Sequence, residues 1–242
     1  MRIAVLSDIH GNLPALEAIL DALAPYDAVW QLGDIVGYGP QPNEVIARLA
    51  AEKAVGVRGN HDSAALGELD TDSFNDDART AVEWTAEQLE PDARAWLAAL
   101  PTRSVEQAFT LVHGSPRDPT WEYVHSTAIA RANLASFDTP HCLVGHTHIP
   151  FVFRQNPGAS VRGVRPLPDS ALEIGPDERL IINPGSVGQP RDGDPRAGGM
   201  VLDTEANSLA WQRVEYPVER VQKLMTGHRL PVRLVARLSF GL

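Results

Sequence analysis

The first third of the chain alternates short apolar runs with amphipathic segments. Three apolar runs predict buried strands, at residues 2–7, 27–32 and 54–58. Two amphipathic segments between them predict helices, at residues 13–23 and 43–52. In the first of these, apolar side chains recur at i, i+3, i+4 and i+7 from Leu16, and Asn12 is a candidate N-cap. This alternation predicts parallel strand pairing with the helices outside the sheet.

The pattern changes after the third predicted strand. Residues 64–100 predict a helical lobe, built from two helices that are acidic at their starts and separated by Pro91. The chain then predicts strands at 103–107, 109–114 and 142–145, with a helix around 126–136. Beyond Phe151, short apolar runs predict a largely antiparallel second sheet, and residues 217–240 predict one or two amphipathic helices. The pattern as a whole predicts a single α/β domain, residues 1–242, of two packed sheets flanked by helices.

Composition and charge narrow the functional classes. The chain has 21 basic and 31 acidic residues, a formal net charge of −10, so a broad nucleic-acid or acidic-membrane surface is not expected. An anionic substrate would need a local attraction, which bound metal ions provide. The single cysteine, Cys142, excludes an intrachain disulfide framework and fits a reducing compartment. With no signal-peptide core and no run that approaches a membrane span, the expected location is the cytoplasm.

Side chains of the metal-ligand type come directly after five of the predicted strands, usually beside a glycine. They are Asp8, His10, Asp34, Asn60, His61, Asp62, His113, His146 and His148. Because α/β sheets form their sites at the carboxyl ends of strands, we expect these side chains to meet. Each short motif is weak alone, but their coincidence at five strand ends indicates one centre.

The donor set indicates the kind of ion. Carboxylate, amide and imidazole groups without a thiolate suit Mn²⁺, Fe, Zn²⁺ and similar ions better than Ca²⁺. The ligands are too many for one tetrahedral site and about enough for two metals that share a carboxylate. The sequence therefore predicts two divalent transition-metal ions, with Mn²⁺ the first candidate and Fe, Zn, Ni or Mg as alternatives.

The residues around these strand ends form recognisable blocks. SDIHGN, GDIVGYGP, RGNHD, VHGSP and GHTH resemble the five signature blocks of the calcineurin-like metallophosphoesterases, and no ligand position in them is broken. GYGPQPNEV, WEYV and INPGSVGQPRDGDPRAG are similar to the small bacterial and archaeal YfcE-like phosphodiesterase branch of that superfamily. The resemblance implies a four-layer α/β/β/α sandwich of two mixed sheets flanked by helices, with the small helical lobe at 64–100 beside the active site.

The resemblance also implies a role for each of these residues. It assigns the first ion to Asp8, His10, Asp34 and His148. It assigns the second ion to Asp34, Asn60, His113 and His146, so that Asp34 bridges the two. His61 falls in neither set and is the implied general acid or stabiliser of transition-state charge, with Asp62 orienting its ring and keeping it protonated.

The implied reaction is hydrolysis of a phosphodiester or related phosphate ester by in-line attack of a metal-bridging hydroxide. Alternatives on the same centre are a phosphomonoesterase, a protein phosphatase and a dinucleoside polyphosphate hydrolase. A metal-binding scaffold is the non-enzymatic alternative, but scaffold relatives tend to lose catalytic positions, and GNHD is intact here. The expected partner is a small phosphate ester, with nucleotide derivatives among the candidates, and neither a nucleic-acid surface nor a membrane.

Three residues are candidate substrate contacts, and each also has a structural interpretation. Tyr38, in GYGP, can stack on a substrate or pack within a rigid turn. Arg191 and Arg196 carry guanidinium groups that suit phosphate, but the aspartates beside them in QPRDGDPRAG are candidate ion-pair partners. His125, which comes after WEYV, is a hypothesis for altered substrate preference.

Overall fold

Two six-stranded sheets form the centre of the fold, which the computed structural model describes over residues 1–242. The first sheet has the strand order β3 (Val55–Val57), β2 (Ala28–Leu32), β1 (Arg2–Leu6), β11 (Ala197–Asp203), β12 (Ser208–Val214) and β9 (Ala171–Glu173). The second has the order β4 (Arg103–Glu106), β5 (Phe109–Val112), β6 (His141–Leu143), β10 (Arg179–Asn183), β7 (Phe151–Gln155) and β8 (Arg162–Val164). The predicted pair of sheets is confirmed.

Helices flank both sheets. They are α1 (Leu13–Leu23), α2 (Pro42–Ala51), α3 (Asn60–Ala65), α4 (Asp76–Gln88), α5 (Pro91–Ala98), α6 (Thr127–Asn133), α7 (Val218–Gly227) and α8 (Val232–Arg237). Two 3₁₀ turns lie at Thr71–Ser73 and Leu134–Ser136. The 64–100 segment holds α4 and α5, as its pattern predicts. None of the helices combines the length and the apolar character needed to cross a bilayer.

Both sheets are mixed. In the first, β1, β2 and β3 are parallel, whereas β11 lies antiparallel between β1 and β12. In the second, β5, β6 and β10 are parallel, and β4 and β7 pair antiparallel with β5 and β10. The strands after Phe151 therefore divide between the two sheets and do not form one of their own. That prediction was wrong because apolar periodicity shows that a strand is buried, not which strand it pairs with.

Alternate residues of the central strands face two different apolar cores. Ile3 and Val5 of β1 face the second sheet, whereas Ala4 and Leu6 pack under the helices of the outer layer. This is the period of two that a pleated strand imposes on its side chains. On the far face of the second sheet, α6 covers a third core that contains the fully buried Cys142. The outer helices, the first sheet, the second sheet and the layer with α6 follow one another across the fold. They are the four layers that the resemblance implies.

Two short elements, α3 and β8, differ from the sequence-based prediction. Asn60–Ala65 is the helix α3, although its polar start resembles a turn. Asp62 explains this, because its Oδ2 accepts the N–H of Gly59 at 2.8 Å and so satisfies a free donor at the helix start. Strand β8 was missed because all three of its residues are exposed, so that it carries no alternation of buried and exposed positions.

Candidate metal centre

The predicted ligands converge where the carboxyl ends of the strands of both sheets meet. The first sheet provides Asp8 and His10 after β1, Asp34 after β2, and Asn60 and His61 after β3. The second provides His113 after β5, and His146 and His148 after β6. Each of these residues is at most 4% exposed. The parallel strands therefore place metal-ligand side chains from both sheets in one buried cluster.

The side chains form two groups with one residue in common. Ligand atoms of Asp8, His10, Asp34 and His148 all lie within 4.8 Å of one another. The same limit holds for Asp34, His113 and His146. The structure thus brings together the residues that the resemblance assigns to each ion, and Asp34 belongs to both groups.

Asp34 is shared because its two carboxylate oxygens have different surroundings. Oδ2 lies 3.6 Å from Nε2 of His10 and 3.3 Å from Nε2 of His113. Oδ1 accepts the backbone N–H of His61 at 3.0 Å. The bond to His61 fixes the carboxylate, so that Oδ2 points between the two groups and can be a ligand to both.

Asn60 joins the second group through His113. Its Oδ1 lies 3.1 Å from Nε2 of His113, which is 3.0 Å from Nδ1 of His146. Three potential ligand atoms, one amide oxygen and two imidazole nitrogens, therefore meet at this point. With Oδ2 of Asp34 they make a mixed oxygen and nitrogen set that suits a first-row divalent ion.

Backbone carbonyls orient three of the imidazole rings. Nδ1 of His10 lies 3.1 Å from the carbonyl of Val36, and Nδ1 of His113 lies 2.8 Å from that of Leu32. Nδ1 of His148 bonds likewise to the carbonyl of Gln189. Since a carbonyl accepts, each Nδ1 carries a proton. The Nε2 atoms of His10 and His148 then present a lone pair to the cluster, and that of His113 would do so on losing its second proton to a bound cation.

Burial and charge set the protonation of the cluster. Burial lowers the pKa values of His10, His146 and His148 well below the usual value, so these rings are neutral. Burial also acts to lower the pKa of His113, but the Asp34 carboxylate outweighs it and brings that pKa to about 9. The first group thus combines the neutral rings of His10 and His148 with the carboxyl groups of Asp8 and Asp34, and neutral imidazole is the form that binds a metal ion.

Asp8 gives the clearest indication of a cation site. Burial raises the pKa of its carboxyl to about 7, with repulsion from Asp34 adding to the effect. Both of its carboxylate oxygens are buried and have no hydrogen-bond partner. Buried carboxylates without partners are costly, and a bound cation removes the cost. The donor set and the unpartnered oxygens both fit a metal site.

The backbone is strained at several of the candidate ligands. Five of them have left-handed φ angles: Asp8 (52°), His10 (49°), Asp34 (51°), His146 (65°) and His148 (59°). Such a conformation costs on the order of 1 kcal/mol or more for each non-glycine residue and persists only where other contacts hold it. Here the N–H of His10 donates to the carbonyl of Asp34 at 2.9 Å, and that of Gly188 donates to the carbonyl of Asp8 at 2.9 Å. The fold therefore stabilises a geometry that aims side chains at one point.

Gly59 allows the loop before α3 to approach Asp34. A Cβ at this position would lie 2.1 Å from Oδ1 of Asp34. Any residue larger than glycine would therefore displace the carboxylate. The glycine in GNHD is thus explained by its close approach to the Asp34 carboxylate, which belongs to both groups.

His61 lies over the cluster, but Asp62, the predicted partner of its ring, bonds to other groups. The centroid of the His61 ring is 5.0 Å from that of His10, 4.3 Å from that of Tyr38 and 4.9 Å from that of Phe74. Its Nδ1 is buried without a hydrogen-bond partner, and burial lowers its pKa to about 4.

The prediction that Asp62 orients His61 and keeps it protonated was wrong. The two carboxylate oxygens of Asp62 accept the N–H groups of Gly59 at 2.8 Å and Val36 at 3.0 Å. These bonds join the start of α3 to the loop after β2. Asp62 therefore positions the backbone around His61 without touching its ring.

The candidate substrate contacts separate into two classes. Tyr38 and Arg191 line the cleft over the cluster. Nη2 of Arg191 lies 3.4 Å from the hydroxyl of Tyr38, and its Nε is buried with no partner. Arg196 does not line the cleft and pairs with Asp194 at 2.6 Å, which favours its ion-pair interpretation over a substrate contact. His125 lines a separate apolar cavity with Phe151.

Aromatic residues form a cleft wall that the sequence analysis did not identify. Phe74, Trp121 and Tyr123 line the cleft with Tyr38. Tyr123 is 45% exposed and stacks on His146, with ring centroids 3.8 Å apart and planes at 22°. Trp121 and Tyr123 both lie in the WEYV block, but in the sequence these aromatic residues are typical of ordinary packing beside a helical lobe.

Comparisons with a family model, with known sequences and with solved structures identify the same family. Residues 1–207 match the family model of the calcineurin-like phosphoesterase superfamily domain. The chain is 34% identical over 247 residues to the uncharacterized protein MJ0912 of Methanocaldococcus jannaschii, covering 99% of this chain and 98% of that protein. It is 30% identical over 222 residues to the phosphodiesterase YfcE of Escherichia coli K12, covering 86% and 91% of the two chains.

A solved structure extends the similarity to the whole fold. The crystal structure of a metallophosphoesterase from Sphaerobacter thermophilus superposes with a TM-score of 0.91 at 44% identity, covering 100% of this chain and 99% of that one. The sequence blocks, the four layers and the shared aspartate cluster agree with these matches. The chain belongs to the calcineurin-like phosphoesterase superfamily.

Proposed function

We propose that this protein is a phosphodiesterase that binds two divalent metal ions, with Mn²⁺ as the first candidate. The observation that carries the proposal is the position of Asp34 Oδ2, within 3.6 Å of an imidazole nitrogen of each ligand group. Membership of a phosphoesterase superfamily and the similarity to a phosphodiesterase support the reaction class.

The residues present fit two ions. Asp8, His10, Asp34 and His148 would hold one, and Asp34, Asn60, His113 and His146 the other. Bound there, the ions would supply Lewis acidity and lower the pKa of a water molecule. Two divalent ions against the carboxylates of Asp8 and Asp34 leave a local charge of about +2. A phosphate is thus attracted to one point of a chain with a net charge of −10.

Arg191 extends this attraction into the cleft. Its backbone N–H bonds to the carbonyl of His148 at 3.4 Å, which ties it to the cluster. Its Nη2 donates to Oε1 of Gln189 at 3.0 Å, whereas its Nε is buried and unpartnered. A guanidinium with a free donor suits an oxygen of the bound phosphate, and its role is to hold and orient the ester.

His61 is placed to act on the leaving oxygen. Its Nδ1 is sealed beneath Gly37, where an added Cβ would lie 2.5 Å from that nitrogen. The other nitrogen, Nε2, is then the one open to the cleft that His61 lines. From there an Nε2–H donates to the oxygen that leaves phosphorus and stabilises the charge that develops on it.

The Gly37→Ala variant tests this placement without removing any polar group. We expect kcat to fall by roughly 10²-fold, because the methyl group displaces His61 from its position. Gly193→Ala is the matched control: its φ of 85° is close to the 86° of Gly37, but its Cβ meets nothing within 4 Å. Equal losses in the two variants would attribute the effect to backbone strain alone.

The aromatic rings that line the cleft favour small substrates that carry a planar group. Tyr123 leaves one ring face exposed beside the cluster, and aromatic faces stack on nucleobases and similar rings. Nucleotide-derived phosphodiesters are therefore the proposed substrate class.

The direct test is hydrolysis by purified protein loaded with Mn²⁺. Bis(p-nitrophenyl) phosphate and p-nitrophenyl phosphate are compared as diester and monoester, by release of p-nitrophenolate. We expect the diester to have the higher kcat/KM. A preference for the monoester would replace the proposal with a phosphomonoesterase. Two bound metals without turnover of either ester, or of a nucleotide diester, would favour a scaffold.

A further inference from the structure

Two rings of the aromatic cleft wall flank a carboxylate that faces away from the cleft. Trp121 and Tyr123 line the cleft, whereas Glu122 between them does not. The Glu122 carboxylate instead meets Asn133 of α6. Val124, which follows Tyr123, is buried in the core that α6 covers. The segment thus presents two aromatic rings to the cleft, while the residues between and after them anchor it from behind.

The Glu122 carboxylate accepts most of its hydrogen bonds at one oxygen. Oε2 accepts the hydroxyl of Ser115 at 2.6 Å, Nδ2–H of Asn133 at 2.7 Å and Nε–H of Arg117 at 3.2 Å. Ser115 and Asn133 are fully buried, so each would lose an acceptor that bulk water cannot replace. The bonds from Arg117, and with them those from Ser115 and Asn133, hold the pKa of Glu122 down at about 2, so the carboxylate is charged at neutral pH.

These bonds join the wall to the loop that follows a candidate ligand. Ser115 comes two residues after His113, just beyond β5. Its Oγ also accepts the N–H of Asp118 at 3.1 Å, and Oδ1 of Asp118 accepts the N–H of Trp121 at 3.0 Å. Glu122, Ser115 and Asp118 therefore form one network that fixes the backbone of the wall relative to the second sheet.

Tyr123 depends on this backbone for its position. It is 45% exposed and stacks on His146, so one face of its ring is covered and the other is open to the cleft. Its neighbours in the chain, Glu122 and the buried Val124, are its two anchors. A ring that is already held in place stacks on a base without a further ordering cost.

We propose that Glu122 is a positioning residue that keeps Tyr123 over the metal centre and so gives the protein a preference for substrates with a nucleobase. It acts through the Tyr123 ring and does not touch the substrate. The inference rests on the proposed phosphodiesterase function and adds a residue that determines its specificity.

Two esters that differ only in a nucleobase test the proposal. They are thymidine 5′-(p-nitrophenyl phosphate) and 1,2-dideoxyribose 5-(p-nitrophenyl phosphate), which lacks the thymine. With Mn²⁺-loaded protein, we expect the wild type to favour the thymidine ester by about tenfold in kcat/KM, mainly through KM, because one stacked base contributes on this order. In Glu122→Ala the ratio is expected to fall to about twofold or less, through a higher KM for the thymidine ester.

Matched variants separate positioning from a general loss of stability. In Glu122→Gln an amide oxygen can take the place of Oε2 and keep the buried bonds, so this variant should retain most of the preference. Ser115→Ala removes only one of these bonds and should lower the preference part of the way. Glu178→Ala is the control, because that buried carboxylate pairs with Arg154 and does not line the cleft. A preference that survives in both Glu122→Ala and Ser115→Ala, or an equal loss in Glu178→Ala, would overturn the proposal.

A binding measurement separates this inference from the proposed function. Calorimetric titration compares thymidine 5′-monophosphate with 2-deoxyribose 5-phosphate on the Mn²⁺-loaded protein. Tighter binding of the nucleotide by the wild type, lost in Glu122→Ala and retained in Glu122→Gln, supports the positioning role even if neither ester is hydrolysed and the proposed function fails. Hydrolysis of both esters at equal kcat/KM, with equal affinities for the two monophosphates, would overturn the positioning role and leave the phosphodiesterase activity in place.

Discussion

Asp34→Asn is expected to lower kcat/KM by roughly 10³-fold or more and to reduce the metal content of the protein. The substitution keeps the size of the side chain and an oxygen that can accept the N–H of His61, now at 3.0 Å from Oδ1. It removes the negative charge that faces His10 and His113. Both ligand groups depend on this carboxylate, so both ions should bind more weakly.

Metal content and turnover should be measured on the same preparation. Metal per chain is determined by elemental analysis after loading with Mn²⁺ and dialysis, and turnover with the aryl diester. Asp194→Asn is the control, because that aspartate pairs with Arg196 away from the cleft. If Asp34→Asn retained two equivalents of metal at unchanged affinity, Asp34 would not be the shared ligand and the two-ion proposal would fail.

His61→Ala is expected to lower kcat by about 10²- to 10⁴-fold while metal content stays unchanged. The ring lies outside both ligand groups and packs edge-on against His10, and the only hydrogen bond from His61 to a candidate ligand is that of its backbone N–H to Oδ1 of Asp34. Alanine keeps that N–H. The loss should therefore appear in the chemical step and not in metal binding.

The dependence of the His61→Ala rate defect on the leaving group shows which phosphate oxygen accepts the hydrogen bond of His61. With a donor to the leaving oxygen, the defect of His61→Ala should grow as the leaving group changes from p-nitrophenol to an alkyl alcohol, because a poorer leaving group needs more stabilisation. A defect of equal size for both would place the ring on a non-leaving phosphate oxygen. The control His125→Ala removes a histidine that lines another cavity, and its kcat should match that of the wild type.

The strand ends could be predicted because their signals are local. Apolar runs that end at Asp8, Asp34 and His113 appear in the sequence as such, and parallel strands bring the residues after them to one edge of a sheet. Helix α1 was equally clear, since Asn12 accepts the N–H of Ala15 at 3.2 Å and the predicted face is buried. The family resemblance then grouped the ligands in the sets that the structure brings together.

Features that depend on distant contacts were not predictable in this way. Asp62 has an imidazole beside it in the chain, yet one of its oxygens bonds to Val36, 26 residues away. No sequence pattern predicts which N–H group will donate a hydrogen bond to a buried carboxylate. The same holds for Tyr123, whose position over His146 depends on the second sheet's layout and not on its neighbours in the chain. Left-handed backbone at non-glycine ligands gives no signal in the sequence either.

The place of β11 between β1 and β12 has a consequence for the order of events during synthesis. β1 leads to Asp8 and His10 and leaves the ribosome well before its antiparallel partner β11, which lies far along the chain at Ala197–Asp203. The N–H of Gly188 that holds the carbonyl of Asp8 comes late as well. A growing chain thus has the ligands long before it has the strand that fixes them. Under the proposed two-ion function, we therefore expect metal uptake to follow completion of the domain, so that the ions stabilise the folded centre and do not template its folding.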